Sequence, residues 1–375
     1  MTGKLPMAEI ATTNHAGKTS IVPGKNDRGE SIFSVLHKRT YKVKNGNSAQ
    51  RNDIDREFRQ TDYYYDNGDP EWSVVQYEYE LAPFKSGIDV VVIGKAYAPN
   101  GPAVPEMRPS VRVGEKAKTI KVVGDRECFF RENAAPEFSD PVPFTEMEIR
   151  YDLAYGGKDD KSIPDIPFFY PRNTMGRGMV LRNLRETVES LTLPNIEDPN
   201  DLLTPERLIM EEPEHWYLQP IPQGFGWRQR TWYPRSALLG SFPPFLEVGI
   251  ASTEEKMGLL PTNHIALAKQ FRMPTMEAQF NNGASIGLTF DHIDASEKIS
   301  LHGLTPDGVL EFALPNETPK MSLDLGEGEK ELETRLHTVS IRPDDGEMDL
   351  IWRGSLVFPS YRWLAQMKRL HAEVQ

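Results

Sequence analysis

The 375 residues carry 43 Lys+Arg against 55 Asp+Glu, a net charge of −12, with 38% hydrophobic and 10% aromatic residues. Such a charge repels phosphate backbones and anionic lipid, so the sequence predicts a protein that binds neither nucleic acid nor membrane. One cysteine, Cys128, excludes a disulfide framework and a multi-thiolate metal site, and the longest wholly apolar run, Val90–Ile93, is too short to span a bilayer.

Residues 1–60 are basic, with 11 Lys+Arg to 6 Asp+Glu and one apolar cluster at Ile32–Leu36. They read as a flexible N-terminal arm preceding a β-rich region, 61–375. From Trp72 to Leu81, Val75, Tyr77, Tyr79 and Leu81 alternate with Gln76, Glu78 and Glu80, the period of a half-buried strand. Further strands are predicted at Ile88–Tyr97, Val111–Val113, Thr119–Val123, Glu127–Phe130 and Met147–Tyr155. Helical spacing of Val180, Leu184, Val188 and Leu191 predicts a helix over Met179–Leu191. Thr204-Pro205 opens another toward Glu212, and Ser252 with Glu255 matches a capping box for a third. Asp324–Glu333 reads as an acidic loop. Strand patterns return at Lys298–Leu301, Val309–Leu314, Thr338–Ile341 and Met348–Trp352, before a last helix carrying Trp363, Leu364, Met367 and Leu370. Regular short strands between turn signals predict a mainly β fold, an elaborated antiparallel sandwich or barrel with a few short helices, with two subdomains divided near 200–250.

Chemistry-bearing patterns are sparse. Gly17-Lys18-Thr19 has Thr12 where a phosphate-binding loop needs its first glycine, and Glu9-Ile10-Ala11 does not read as the hydrophobic strand that must precede such a loop. None of the eight histidines forms a close ligand pair, and no cofactor or metal is expected. Gly283-Ala284-Ser285-Ile286-Gly287 fits the G-x-S-x-G nucleophile elbow, yet Leu288-Thr289-Phe290 follows as extended chain rather than as helix. A β-sandwich hydrolase of carbohydrate or ester substrates, using Ser285, Asp125 or Asp152, is therefore the second reading. Trp216–Phe245 is dense in aromatic residues and arginine. Trp227, Arg228, Arg230, Trp232, Tyr233 and Arg235 have the composition of a partner-binding surface, which requires the two indoles to be partly exposed.

Several motifs occur in one order: Phe84-Lys85 with Asp89–Val92, Ala98-Pro99-Asn100-Gly101, Gly124-Asp125-Arg126, Pro143-Phe144 and Ala154-Tyr155-Gly156-Gly157. Gly176-Arg177-Gly178, Leu193-Pro194-Asn195-Ile196-Glu197, Pro222–Gly226 and Trp352-Arg353 complete the series. Over about Trp72–Trp363 the chain resembles the domain of unknown function found beside the VgrG spike and PAAR-like tip proteins in bacterial type VI secretion gene clusters. The resemblance implies a cytoplasmic, non-enzymatic effector adaptor or chaperone that binds a secreted effector, or its PAAR-like domain, and loads it onto VgrG. It carries over no catalytic residues; Gly124, Asp125, Arg126, Gly156, Gly157, Gly176 and Gly178 are structural motif positions. At Ala237–Ser241 the chain departs from the aromatic-rich segment of many members, which bears on the class of cargo.

Overall fold

A computed structural model describes residues 9–14, 16–131, 134–160, 167–181, 189–239, 278–326, 328–358 and 369–375. The longer strands, in chain order, are β1 (Glu9–Asn14), β2 (Lys18–Lys25), β3 (Ser31–Lys42), β4 (Ile88–Val92), β5 (Ser110–Val113), β6 (Lys116–Thr119) and β7 (Lys298–His302). They continue with β8 (Val309–Ala313), β9 (Met321–Asp324), β10 (Glu329–Leu332), β11 (Thr334–Arg342), β12 (Glu347–Val357) and β13 (Arg369–Val374). The described fold is mainly β, its helical elements are short, and none of its sheets closes into a barrel.

The largest sheet has the order β2-β3-β12-β11-β4 and ends in Thr289–Phe290, with Gln50–Arg51 also paired to β3. Its ladders are antiparallel except β11 with β4, which is parallel. A second sheet runs β6-β5-β7-β8 to Asn47–Ser48, and a third runs β1-β13-β9-β10. Valines, isoleucines and leucines from these three sheets meet in one apolar cluster, among them Val35, Val90, Ile299, Phe312, Leu323 and Ile341.

The N-terminal arm expected over 1–60 is contradicted. Residues 18–42 form β2 and β3, and β3 is central in the largest sheet, matched residue for residue with β12 from Ile32↔Val357 to Lys42↔Glu347. Its basic residues do not solvate a tail. Lys38, 0% exposed, contacts Glu80 at 2.6 Å and Asp349 at 3.5 Å, while Arg342 reaches Asp349 at 2.8 Å. Burial alone would raise the Asp349 carboxyl, but Lys38 and Arg342 outweigh it and hold the group below its usual range.

The same charges correct the Trp72–Leu81 strand. Only Val75–Tyr77 is extended in a ladder, Trp72 closes a 3-10 turn, and Glu78 and Glu80 are buried rather than turned to water. Arg235 and Lys38 are their reasons for being inside.

The middle of the chain builds a second apolar cluster from Cys128, Tyr155, Tyr170, Leu181, Leu208, Trp216 and neighbours. The two clusters are nested in sequence, so the division expected near 200–250 does not describe them. Val180–Leu181 is a short strand beside Ile209–Met210, and Ser190–Thr192 pairs with Glu127–Phe129, so the Met179–Leu191 helix is absent at both ends. Residues 182–188 lie outside the described ones. The helix opened by Pro205 stops at Leu208, and Thr204 makes no side-chain cap. Asp324–Glu333 is the β9–β10 hairpin rather than a loop. The helices expected after Ser252 and Ser360 fall outside the described residues, although Leu370 lies in β13. No described helix is long and apolar enough to cross a membrane.

Candidate functional site: a cleft at an unpaired strand edge

The aromatic-arginine segment expected to face a partner is instead a wedge in the core. Trp227 is 6% and Trp232 2% exposed, which overturns the requirement that both indoles be partly free. Trp232 stands edge-on to Tyr151 at 5.4 Å and donates through Nε1 to Thr174 Oγ1 at 3.2 Å; Tyr233 packs edge-on against Trp216 at 5.2 Å. Arg235 grips both Glu78 oxygens and the carbonyls of Phe280 and Arg228, while Arg230 also reaches Glu78 and Arg228 donates to the Ala284 carbonyl. Composition alone cannot separate these roles, because aromatic rings and arginine serve a wet interface and a satisfied core equally well.

The G-x-S-x-G pattern has a packing explanation. A Cβ on Gly283 would lie 2.1 Å from Glu78 Oε2, so glycine is what lets the Glu78–Arg235 pair close. Ser285 is 1% exposed; its hydroxyl donates to the Gly224 carbonyl at 2.6 Å and accepts from Lys118 Nζ at 2.7 Å and Tyr151 at 2.9 Å. Every hydrogen-bonding position of that hydroxyl is taken. Asp152 is held by Arg150 and Asp125 accepts from Asn195, so the other two candidate catalytic groups are also engaged.

The glycine motifs meet at one place. Tyr155-Gly156 runs parallel to Arg177-Gly178, and Gly157 N–H donates to the Asn173 carbonyl. Gly176 sits where a Cβ would come within 2.5 Å of the Ala154 carbonyl. Asn195 bridges Val123 and Asp125, Arg126 pairs with Glu197 at 3.0 Å, and Arg177 donates to Asn195 Oδ1. Gly124 is closed over by the Val142 backbone. These residues tie the middle segment together.

A cleft of about 890 Å³ lies elsewhere, beside the largest sheet. Strand β11 pairs with β12 from Thr334 onward but with β4 only from Thr338↔Asp89, so among the described strands residues 334–337 have one open edge. A register shift between Leu336 and Thr338 leaves His337 outside the ladder. Thr334, Arg335, Leu336 and His337 all line the cleft. Side chains of successive strand residues alternate between faces, so four in a row can border one space only along an edge.

His337 is 2% exposed, and its Nδ1 lies 3.0 Å from Thr338 Oγ1, which accepts from Lys85 Nζ at 2.9 Å. That acceptance directs the Thr338 proton to Nδ1 and places the imidazole proton on Nε2. Among the described residues Nε2 has no partner of normal hydrogen-bond geometry. Burial, with Lys85 and Arg353 nearby, drives the imidazole well below its usual range, so it is neutral. Lys85 continues to Asp89 at 2.8 Å, which is itself held by Asn282, Gly283 and Thr289.

Arg353 is the unusual group. Its guanidinium stacks 4.0 Å over the Phe84 ring centroid and donates once, to the Lys85 carbonyl at 3.2 Å. Among the ions lining the cleft, Lys85, Arg335, Glu317 and Glu333 each contact an opposite charge; the exposed Asp27, Arg28 and Asp291 and the half-buried Arg353 contact none among the described residues. Burial and the Arg335 charge lower it to about 10, against a weak opposing pull from Asp27. Phe84-Lys85 and Trp352-Arg353 were visible as motifs; that they share one cavity was not, because more than 260 residues separate them in sequence.

Among the described residues no group of three or more His, Cys, Asp or Glu side chains is placed to hold a metal. No curated protein and no solved structure is significantly similar to the chain. Residues 28–353 match the family described as "Uncharacterized protein conserved in bacteria (DUF2169)", and the chain belongs to that family.

Proposed function

We propose that the protein is a non-enzymatic adaptor of bacterial type VI secretion. It binds a secreted effector, or its PAAR-like domain, in the cytoplasm and loads it onto the VgrG spike. The reading rests on the ordered motifs from Phe84 to Arg353, and the observation that favours it most is the cleft. An open strand edge beside a charge without a counterion is a place for another polypeptide to dock. The hydrolase reading gains no such support, since Ser285 is sealed and hydrogen-bonded on every side.

Size-exclusion chromatography with light scattering, on the protein alone and mixed with the neighbouring spike and PAAR-containing effector, tests the proposal. A complex of defined stoichiometry is expected. At roughly tens of micromolar, where a micromolar Kd must register, absence of any complex with either protein would reject the adaptor reading.

A further inference from the structure

We infer that the cleft receives an extended acidic segment of a partner polypeptide, laid as an added strand along Thr334–His337 with one carboxylate seated on Arg353. The inference deepens the adaptor reading and rests on it only for the source of the segment.

Three observations converge. First, β12 occupies one side of β11, and strand geometry turns the N–H and C=O of alternate residues away from it. Among the described strands, none pairs with Thr334–Leu336 on that side, so their outward backbone donors and acceptors meet no neighbouring strand over a length of about 10 Å. Natural sheets cover, shorten or charge such edges, because an open edge is a template for another strand. Here the edge opens on a cavity of about 890 Å³, within the usual size of a binding cleft.

Second, among the described residues Arg353 has one carbonyl and one aromatic ring for company and no carboxylate. Arginine presents five N–H donors in a planar fork that matches a carboxylate bidentately. The Phe84 ring fixes the plane of that fork, so its remaining donors are organised before anything binds. Lowering of the guanidinium by burial agrees with a charge held out of water without its counterion.

Third, the charge left without a partner inside the exposed rim of the cleft is a cation. Lys85 and the neutral His337 line the same space; Lys85 spends its donors on Asp89 and Thr338 inside the fold, and Thr338 donates to His337 Nδ1. Asp27 and Asp291 stand exposed at the rim, where water screens them. Arg28 is exposed like them, so a carboxylate entering beyond that rim meets the half-buried Arg353.

The test uses the full chain, immobilised, and two synthetic heptapeptide pools. One pool is randomised with Asp or Glu at a single position; the other carries Asn or Gln there, and both are amidated at the C-terminus. Retained peptides are counted by mass spectrometry. Retention of acidic over neutral peptides by at least tenfold is expected. Arg353→Met should abolish the preference, whereas Arg131→Met, at an exposed position paired with Glu137 and outside the cleft, should leave it within twofold. Thermal unfolding of each variant establishes that it is folded. Hydrogen exchange with an enriched peptide should then slow at the amides of 334–337. Equal retention of the two pools, a preference that survives Arg353→Met, or unchanged exchange along 334–337 would each overturn the inference. A complex with effector and spike that Arg353→Met leaves intact would reject the cleft and keep the adaptor. Acidic-peptide capture without any such complex would reject the adaptor and keep the cleft.

Discussion

Lys118 puts its ammonium 2.7 Å from both Ser285 Oγ and the Ile286 carbonyl and, among the described residues, contacts no carboxylate. Burial lowers it to about 7, Arg228 adds to the effect and Asp198 opposes it. An unfolded lysine keeps its proton to about pH 10.4. Between pH 7 and 10 the unfolded chain thus holds a proton that the folded chain has released, and stability rises with pH there by up to ~1.4 kcal/mol per unit. Lys118→Met should remove that slope and raise stability at pH 7, read from urea unfolding at pH 7, 8 and 9. An unchanged slope would show that the lysine stays charged in its pocket. Nothing in Lys116–Thr119 announced this, since Lys118 is one of several lysines on a short exposed strand. Its environment is made by Tyr151, Gly224 and Ser285, each far away in sequence.

At the scale of elements, β3 shows what a one-dimensional reading captures and what it misses. Strands β7, β8 and β12 were legible because their apolar residues alternate or cluster between turn signals. Strand β3 reads SIFSVLHKRTYK and looks like a basic tail, because Ser34, Lys38 and Thr40 are buried on partners more than forty residues distant. Buried polar positions break the pattern wherever a distant group satisfies them. Lys38→Met leaves Glu80 and Asp349 inside with less compensation, and should cost about 3 kcal/mol by urea unfolding. A loss under 0.5 kcal/mol would place that lysine in water. The Trp227–Arg235 wedge failed in the opposite sense: its residues suited an interface, yet Glu78 and Gly283 draw them inward.

For the whole molecule, the two apolar clusters are joined where the wedge passes from one to the other, with Trp227 and Trp232 in the first and Tyr233 in the second. Cys128 lies in the second cluster, 0% exposed, its thiol pushed up to about 11 chiefly by burial. A maleimide should label it only as fast as the chain unfolds, in step with the urea transition followed by tryptophan fluorescence. Labelling well ahead of that transition would show the middle cluster opening by itself.

The pairing of β3 with β12 also sets a clock on biosynthesis. Eleven residues near the start of the chain find their neighbours only after residue 357 has been made. At 5–20 residues per second the delay between the two strands is roughly 15–60 s. Throughout it, Phe33, Val35 and Leu36 leave the ribosome with one flank unmatched, beside a β2 that can form a hairpin with them at once. That hairpin needs no residue beyond Lys42, so a slow codon stretch downstream would lengthen the wait for β12 without changing a single residue of the finished protein.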